Sequence, residues 1–393
     1  MKRLSLFLFS YIIVVFALFL FSFTQVDLSL TLSQSSFWQI LQKQFQYLGF
    51  FNRPLSSAIF SVIAVLLFVF YLSFLYLAKK DKLKLSSTKI LVLVTFIILV
   101  FSYNAFSYDL FNYIFDAKIL THYGQNPYLH KPLDFVQDPM LNFMRWTHRL
   151  YPYGPSWLIL TVPLSFIGLN FFLPTFFLFK LLIGLTYLGS VYLIYKISKI
   201  LFPGSAIFNT VFFAFNPLVL IEGLVSAHND FPLVFFALLA IYLYLVKRKI
   251  LSFVSLIFSI GIKFSTGALL PVFGLIYYLE RTSKKIPWES IFLLSVVLSL
   301  VAVIFATLRT TFQPWYLIFP ISMGAFISRK YYIFIPTLIS SIFLTALYVA
   351  YVYMTDYAKD YPEVAGNIVY GGLLIMLFTT VLFYLINRFS PKH

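Results

Sequence analysis

Cysteine is absent from all 393 residues, so neither a disulfide nor a thiolate metal site is available. Charge is scarce too. Only 11% of residues are Asp, Glu, Lys or Arg, against about a quarter in a soluble domain. Acids are the scarcer sign, 13 against 29 bases. The hydrophobic segments lack the apolar–polar alternation of a membrane β-barrel. No long polar stretch of domain size interrupts them. There is also no Asn-x-Ser/Thr sequon, which fits a prokaryotic plasma membrane.

What is present is apolar. Hydrophobic residues make up 61% and mean hydropathy is +0.90. Runs of about 18 or more apolar residues recur along the chain, the pattern of an all-α, polytopic transmembrane helical bundle. The net charge of +16 does not point to nucleic acid, because the basic residues cluster between apolar runs, where cytoplasmic loops carry them. These clusters are Lys2-Arg3, Lys79 to Lys84, Lys247 to Lys249, Arg281 to Lys285, Arg329-Lys330 and Arg388 with Lys392. The start, MKRLSLFLFSYIIVVFALFLF, reads as a retained first span. Both termini are then expected in the cytoplasm. Spans near 5–24, 57–78 and 89–107 place residues 108–154 outside, with Arg309 to Trp315 and the acidic segment Asp356 to Glu363. Parity requires an odd number of crossings between 154 and Lys247, yet four apolar stretches lie there. A break is expected at EGLVSAHND (222–230). Residues 250–279 read as a short helical hairpin with Lys263 near its outer tip. The total is about 12 spans, with 10–13 open, in a single domain over 1–393 whose last helices occupy 326–393.

Polar residues inside such a chain need a reason. SYDLFNYIFDAK (107–118) sets Asp109, Asn112 and Asp116 on one helical face, about 10 Å between the two acids. It reads as an amphipathic helix in the interface within the outer loop, or as a solvated surface helix. Glu222, His228, Asn229 and Asp230 interrupt apolar sequence at IEGLVSAHND, at roughly 2.5–3.5 kcal/mol per ionisable group unless paired or wet. A short polar loop would also explain them. Lys263 either works there or snorkels to an interface.

The order D-L-F-x-Y-x-x-D-A-K, G-x-N-P-Y (124–128), Y-P-Y-G-P (151–155), N-P-L-x-L-I-E-G…H-N-D, K-F-S-T (263–266) and Q-P-W-Y (313–316) resembles the GT-C superfamily of integral-membrane glycosyltransferases, in particular the polyprenyl-phosphate-mannose-dependent mannosyltransferases. The likeness covers a core over about 89–325. It departs at Ala117-Lys118 and at Ser265-Thr266, positions that bear on the sugar. The resemblance implies transfer of a sugar, with mannose expected, from a polyprenyl-phosphate donor to an acceptor hydroxyl at the outer face, with inversion. Asp109 matches the catalytic position and is the expected general base. Asp116 would orient the acceptor or hold a basic partner. Lys263 and His228, with Arg145 and Arg149 as alternatives, are the candidates for the donor phosphate. Asn112, Glu222, Asn229, Asp230, Tyr151, Tyr153, Gln313, Trp315 and Tyr316 are candidates for sugar or acceptor contacts, and the aromatics among them equally suit interfacial anchoring. No metal and no cofactor is expected. The acceptor is a glycan, glycolipid or protein, and membrane lipid is the other partner. The alternatives are a polysaccharide polymerase or ligase and a lipid or solute transporter or flippase.

Overall fold

The computed structural model describes residues 2–354 and 361–389; Asp356, Asp360 and Lys392 of the charge reading lie outside them. The described residues are helical and contain no strand. In chain order the helices are α1 (Lys2–Ser22), α2 (Ser36–Gln46), α3 (Arg53–Lys79), α4 (Leu85–Val100), α5 (Asp109–Thr121), α6 (Pro155–Ile167), α7 (Phe172–Leu201), α8 (Ala206–Ala214), α9 (Pro217–Leu220), α10 (Asp230–Leu245), α11 (Lys249–Ile260), α12 (Leu270–Arg281), α13 (Trp288–Arg309), α14 (Ile318–Gly324), α15 (Tyr331–Tyr353) and α16 (Tyr361–Phe389).

Six of these are long and apolar enough to cross a membrane: α1, α3, α7, α13, α15 and α16. A bent pair, Pro203–Ala214 with Pro217–Val225, makes a seventh if taken as one span. The other apolar helices have 10–17 residues. At 1.5 Å per residue they fall short of a hydrocarbon core about 30 Å thick. The expected dozen therefore holds only if these short helices cross with the help of their flanking turns. The third expected span, 89–107, ends early at Val100. Ser102 Oγ donates back to Leu99 O at 2.6 Å, and Asn104 Nδ2 holds Ser107 O at 2.8 Å, so the chain turns before α5.

The break expected at EGLVSAHND is present, and a further one precedes it. The first is a 55° bend at Phe215 to Pro217. Pro217 disfavours helix at the residue before it, and Asn216 is extended at ψ 122°, its side chain accepting from the Leu218 N–H at 3.0 Å. The second is the non-helical stretch Ser226 to Asn229 ahead of α10. Each break frees backbone carbonyls in a dry interior, where every such group needs a partner. Tyr71 and Tyr187 donate to Phe212 O and Ala214 O at 3.0 and 2.8 Å. The buried Lys180 Nζ donates to Ser102 Oγ at 3.0 Å, to Val225 O at 2.9 Å and to Leu224 O. Lys180→Ala removes the donor for all three acceptors. It is expected to destabilise the fold by about 3 kcal/mol or more, read as a lowered Tm of the detergent-purified protein.

The two helices expected over 250–279 are present as α11 and α12, with Lys263 in the turn after α11. α11 runs antiparallel to α10, bonded by three serines: Ser252 Oγ to Ala240 O at 2.7 Å, Ser255 Oγ to Phe236 O at 2.8 Å and Ser259 Oγ to Leu233 O at 2.8 Å. Small hydroxyl residues let two helices approach closely and bond across. This ladder carries the end of α11, and Lys263 just after it, to the start of α10. The other end of α10 stops beside Lys247-Arg248-Lys249. Likewise α13 starts just after Lys284-Lys285 and ends shortly before Gln313 to Tyr316. The clustered polar residues and the basic clusters thus sit at opposite ends of the same helices.

Candidate active site

α5 opens the site. Asp109 is its first residue, where the helix dipole favours a carboxylate, and its N–H is held by Ser107 Oγ at 3.1 Å. α5 does not lie on a wet interface, however. Eight of its thirteen residues are buried, Asp116 among them. The loop after it folds back as a cover. The Phe143 ring meets Phe111 edge-on at 5.2 Å and Phe135 stacks on Tyr123 at 4.0 Å. Lys118 pins the cover through Asp138 at 2.5 Å, and that carboxylate also accepts from Tyr123 at 2.6 Å and from the Met140 N–H at 2.9 Å. Burial alone would raise the Asp138 pKa. Lys118, Tyr123 and the amide outweigh it, and the net shift is downward.

Around Asp109 the motifs converge. His228 Nδ1 lies 3.5 Å from Asp109 Oδ2, and its Nε2 lies 3.3 Å from Glu222 Oε2. Trp315 stacks on His228 with ring centres 3.8 Å apart and planes 16° from parallel. Tyr113, one turn after Asp109, donates to Asn229 Oδ1 at 3.3 Å. Lys263 Nζ pairs with Asp230 at 2.6 Å and sits 5.8 Å from the Tyr153 ring centre. Tyr153 in turn meets Tyr113 edge-on at 5.4 Å. The Tyr113–Tyr153 pair thus stands between the Asp109 and Lys263 sides. Asp109 and Lys263 are both partly exposed, 16% and 17% for their side chains, whereas His228 and Glu222 show none. Asn112, Tyr153, Gln313, Trp315 and Tyr316 also reach the surface in part. The Asn112 Oδ1 is buried without a hydrogen-bond partner.

The loop YPYGP is fixed to the Lys263 turn by its backbone. Gly154 N–H donates to Ile262 O at 3.2 Å, and Ser156 N–H to Gly261 O at 2.9 Å. A Cβ on Gly154 would stand 2.2 Å from Gly261 O, a backbone atom that cannot swing aside. Gly154→Ala is therefore expected to part Tyr153 from Lys263 at about 1–3 kcal/mol of strain and to lower kcat/KM about tenfold. Gly267→Ala, with nothing within 4 Å of its Cβ position, serves as the unaffected control.

Several expected contacts are placed otherwise. His228 has both ring nitrogens against carboxylates, which leaves no donor for a phosphate. Glu222 is buried behind it, one oxygen accepting from the Tyr348 hydroxyl and the other 3.3 Å from His228 Nε2. Asp116 makes no ion pair or hydrogen bond among the described residues. Burial and then the charge of Asp109 push its carboxyl well above the usual range. Arg145 and Arg149 are exposed, their guanidiniums over the Tyr108 and Trp146 rings at 4.9 and 4.3 Å. Tyr151 is buried, its hydroxyl donating to Gly154 O at 2.9 Å. Among the described residues no group of three or more His, Asp or Glu is placed to hold a metal ion. Two residues escaped the sequence reading. Tyr348 is one of 28 tyrosines and carries no local signal. Lys180 does: it is a lone charge in the apolar first half of α7, and such residues are costly enough to mark a buried partner.

Residues 13–279 match the model of the MptA_B family, described as alpha-(1->6)-mannopyranosyltransferase, N-terminal domain. The matched segment holds Asp109, Asp116, Glu222, His228, Asp230 and Lys263, and stops short of Trp315. No curated protein and no solved structure matches the chain. With well over half its length in the match and six membrane-length apolar helices, the chain belongs to the alpha-(1->6)-mannopyranosyltransferase family and is a membrane mannosyltransferase of the GT-C type.

Proposed function

We propose that the protein transfers mannose from a polyprenyl-phosphate donor to an acceptor hydroxyl, with inversion, at the outer face of the membrane. The observation that carries this reading is the pair of partly exposed charges, the Asp109 carboxylate and the Lys263 ammonium, on either side of Tyr113 and Tyr153. Asp109 takes the acceptor proton as the new C1–O bond forms. On the opposite side of C1 the bond to the phosphate oxygen breaks, and the electron pair leaves with the polyprenyl phosphate. Lys263 spends one contact on Asp230, and its remaining N–H groups neutralise the charge that grows on the leaving oxygen. Asn112 and the faces of Tyr153, Trp315 and Tyr316 then hold sugar and acceptor. Asp116, its carboxyl pushed up by burial and by the charge of Asp109, lies two turns further along the same helix. A donor dissolved in the bilayer explains why the enzyme is built there. The basic clusters at the far ends of α10 and α13 support an outward-facing site. A monophosphate leaving group stabilised by Lys263 does not itself demand a divalent ion, and transfer is expected to survive EDTA.

An α-linked product formed by inversion requires a β-linked donor. The test is to offer the purified protein short-chain polyprenyl-phosphate β-mannose or GDP-mannose, each labelled, with a mannoside acceptor. The reading expects transfer from the lipid phosphate alone and an α-linked product by NMR. Transfer from the nucleotide sugar alone, or a retained anomeric configuration, would sink it.

A further inference from the structure

His228 has no exposed surface and stands between two carboxylates. A neutral imidazole has one N–H, so it satisfies one carboxylate and turns a lone pair on the other; the imidazolium satisfies both. The remaining surroundings favour the charged ring. Trp315 lies flat on it, an arrangement that attracts a cation. Glu222 is fully buried, and its second oxygen accepts from the Tyr348 hydroxyl, which leaves Oε2 turned to His228. Nearby, Asp230 is already paired with Lys263, and the Asp116 carboxyl is pushed up by burial and by the charge of Asp109. Burial opposes a charge on His228, but Asp109 and Glu222 outweigh it and raise its pKa.

We infer that Glu222, seated by Tyr348, is a positioning residue that holds His228 as an imidazolium against Asp109, keeping that carboxylate ionised and aimed at the acceptor. This rests on Asp109 being the base. It assigns roles to two side chains that touch no substrate, one of them, Tyr348, outside the matched segment. The chain Tyr348–Glu222–His228–Asp109 joins α15, the turn after α9, the loop before α10 and the start of α5, and its inner members, Glu222 and His228, have no exposed surface.

Glu222→Gln and Tyr348→Phe preserve shape and separate this role from packing. Without the Glu222 charge His228 loses its second proton more readily, and Asp109 loses its neighbouring cation. The kcat of Glu222→Gln is then expected about tenfold or more below that of the wild type at neutral pH and above, and to recover as the pH falls and His228 regains its second proton. Tyr348→Phe is expected to show the same pattern to a smaller degree. His228 can be read without turnover, because the chain has only 5 histidines to resolve by imidazole 15N NMR. Both ring nitrogens should be protonated at neutral pH in the wild type, and one in Glu222→Gln. A neutral His228 in the wild type, or a Glu222→Gln loss equal at every pH, overturns the inference. Full turnover in Asp109→Asn removes the base assignment and this inference with it. An inactive Asp109→Asn beside a Glu222→Gln that shows no pH-dependent loss removes this inference alone.

Discussion

Asp109→Asn is expected to lower kcat about 10²–10⁴-fold, the usual contribution of a positioned general base, with donor KM nearly unchanged. The amide matches the carboxylate in size and still meets His228 and Ser107, so the pocket keeps its shape. What it lacks is a lone pair basic enough to take the acceptor proton as the C–O bond forms. The loss of charge at the first residue of α5 costs only about 0.3–1 kcal/mol of helix stability, too little to explain a fall of that size through unfolding. Single-turnover transfer of labelled mannose, run beside equilibrium donor binding, separates the two effects. A variant that binds donor and does not turn over meets the expectation. One that turns over normally removes Asp109 from the chemistry.

Lys263→Ala is expected to lower kcat/KM about 10²–10³-fold, the scale of losing one charge-stabilising donor at a developing anion. Unlike the first variant, it should also weaken donor binding, since the phosphate is charged before the reaction as well as after. The substitution has a second consequence. Asp230 would be left buried and unpaired, and stability would fall. Lys263→Ala combined with Asp230→Asn removes that stranded charge. If the pair restores Tm but not donor affinity, Lys263 binds the donor. If it restores both, Lys263 serves only to neutralise Asp230.

Much of this was legible in the residue string, for reasons tied to individual positions. Lys263 and His228-Asn229-Asp230 stand out because charge inside an apolar run is expensive, and the structure brings them to the same end of α10 and α11. The α5 helix itself follows from the spacing of its residues. Its burial does not, since that depends on Lys118 finding Asp138 twenty residues on and on Phe143 closing over Phe111. The Ser252, Ser255 and Ser259 ladder was equally hidden, because nothing local says which helix a serine will face. The same holds for Tyr348, whose partner Glu222 is 126 residues away. The count of about 12 spans is left unconfirmed for a different reason. Hydropathy marks α4 and α10 as apolar but cannot see that Ser102 or Val246 ends the helix before a bilayer is crossed.

The account depends most on Asp109 and Lys263 facing the side of the membrane opposite the basic clusters, and the absence of cysteine makes that directly measurable. Single Asn112→Cys and Lys284→Cys variants carry one thiol each, with no background. A small, membrane-impermeant cationic thiol reagent added to intact cells should modify the Asn112→Cys protein and block its transfer activity. The Lys284→Cys protein should react only after the membrane is opened. Labelling of Lys284→Cys in intact cells, with Asn112→Cys protected until permeabilisation, would contradict the account.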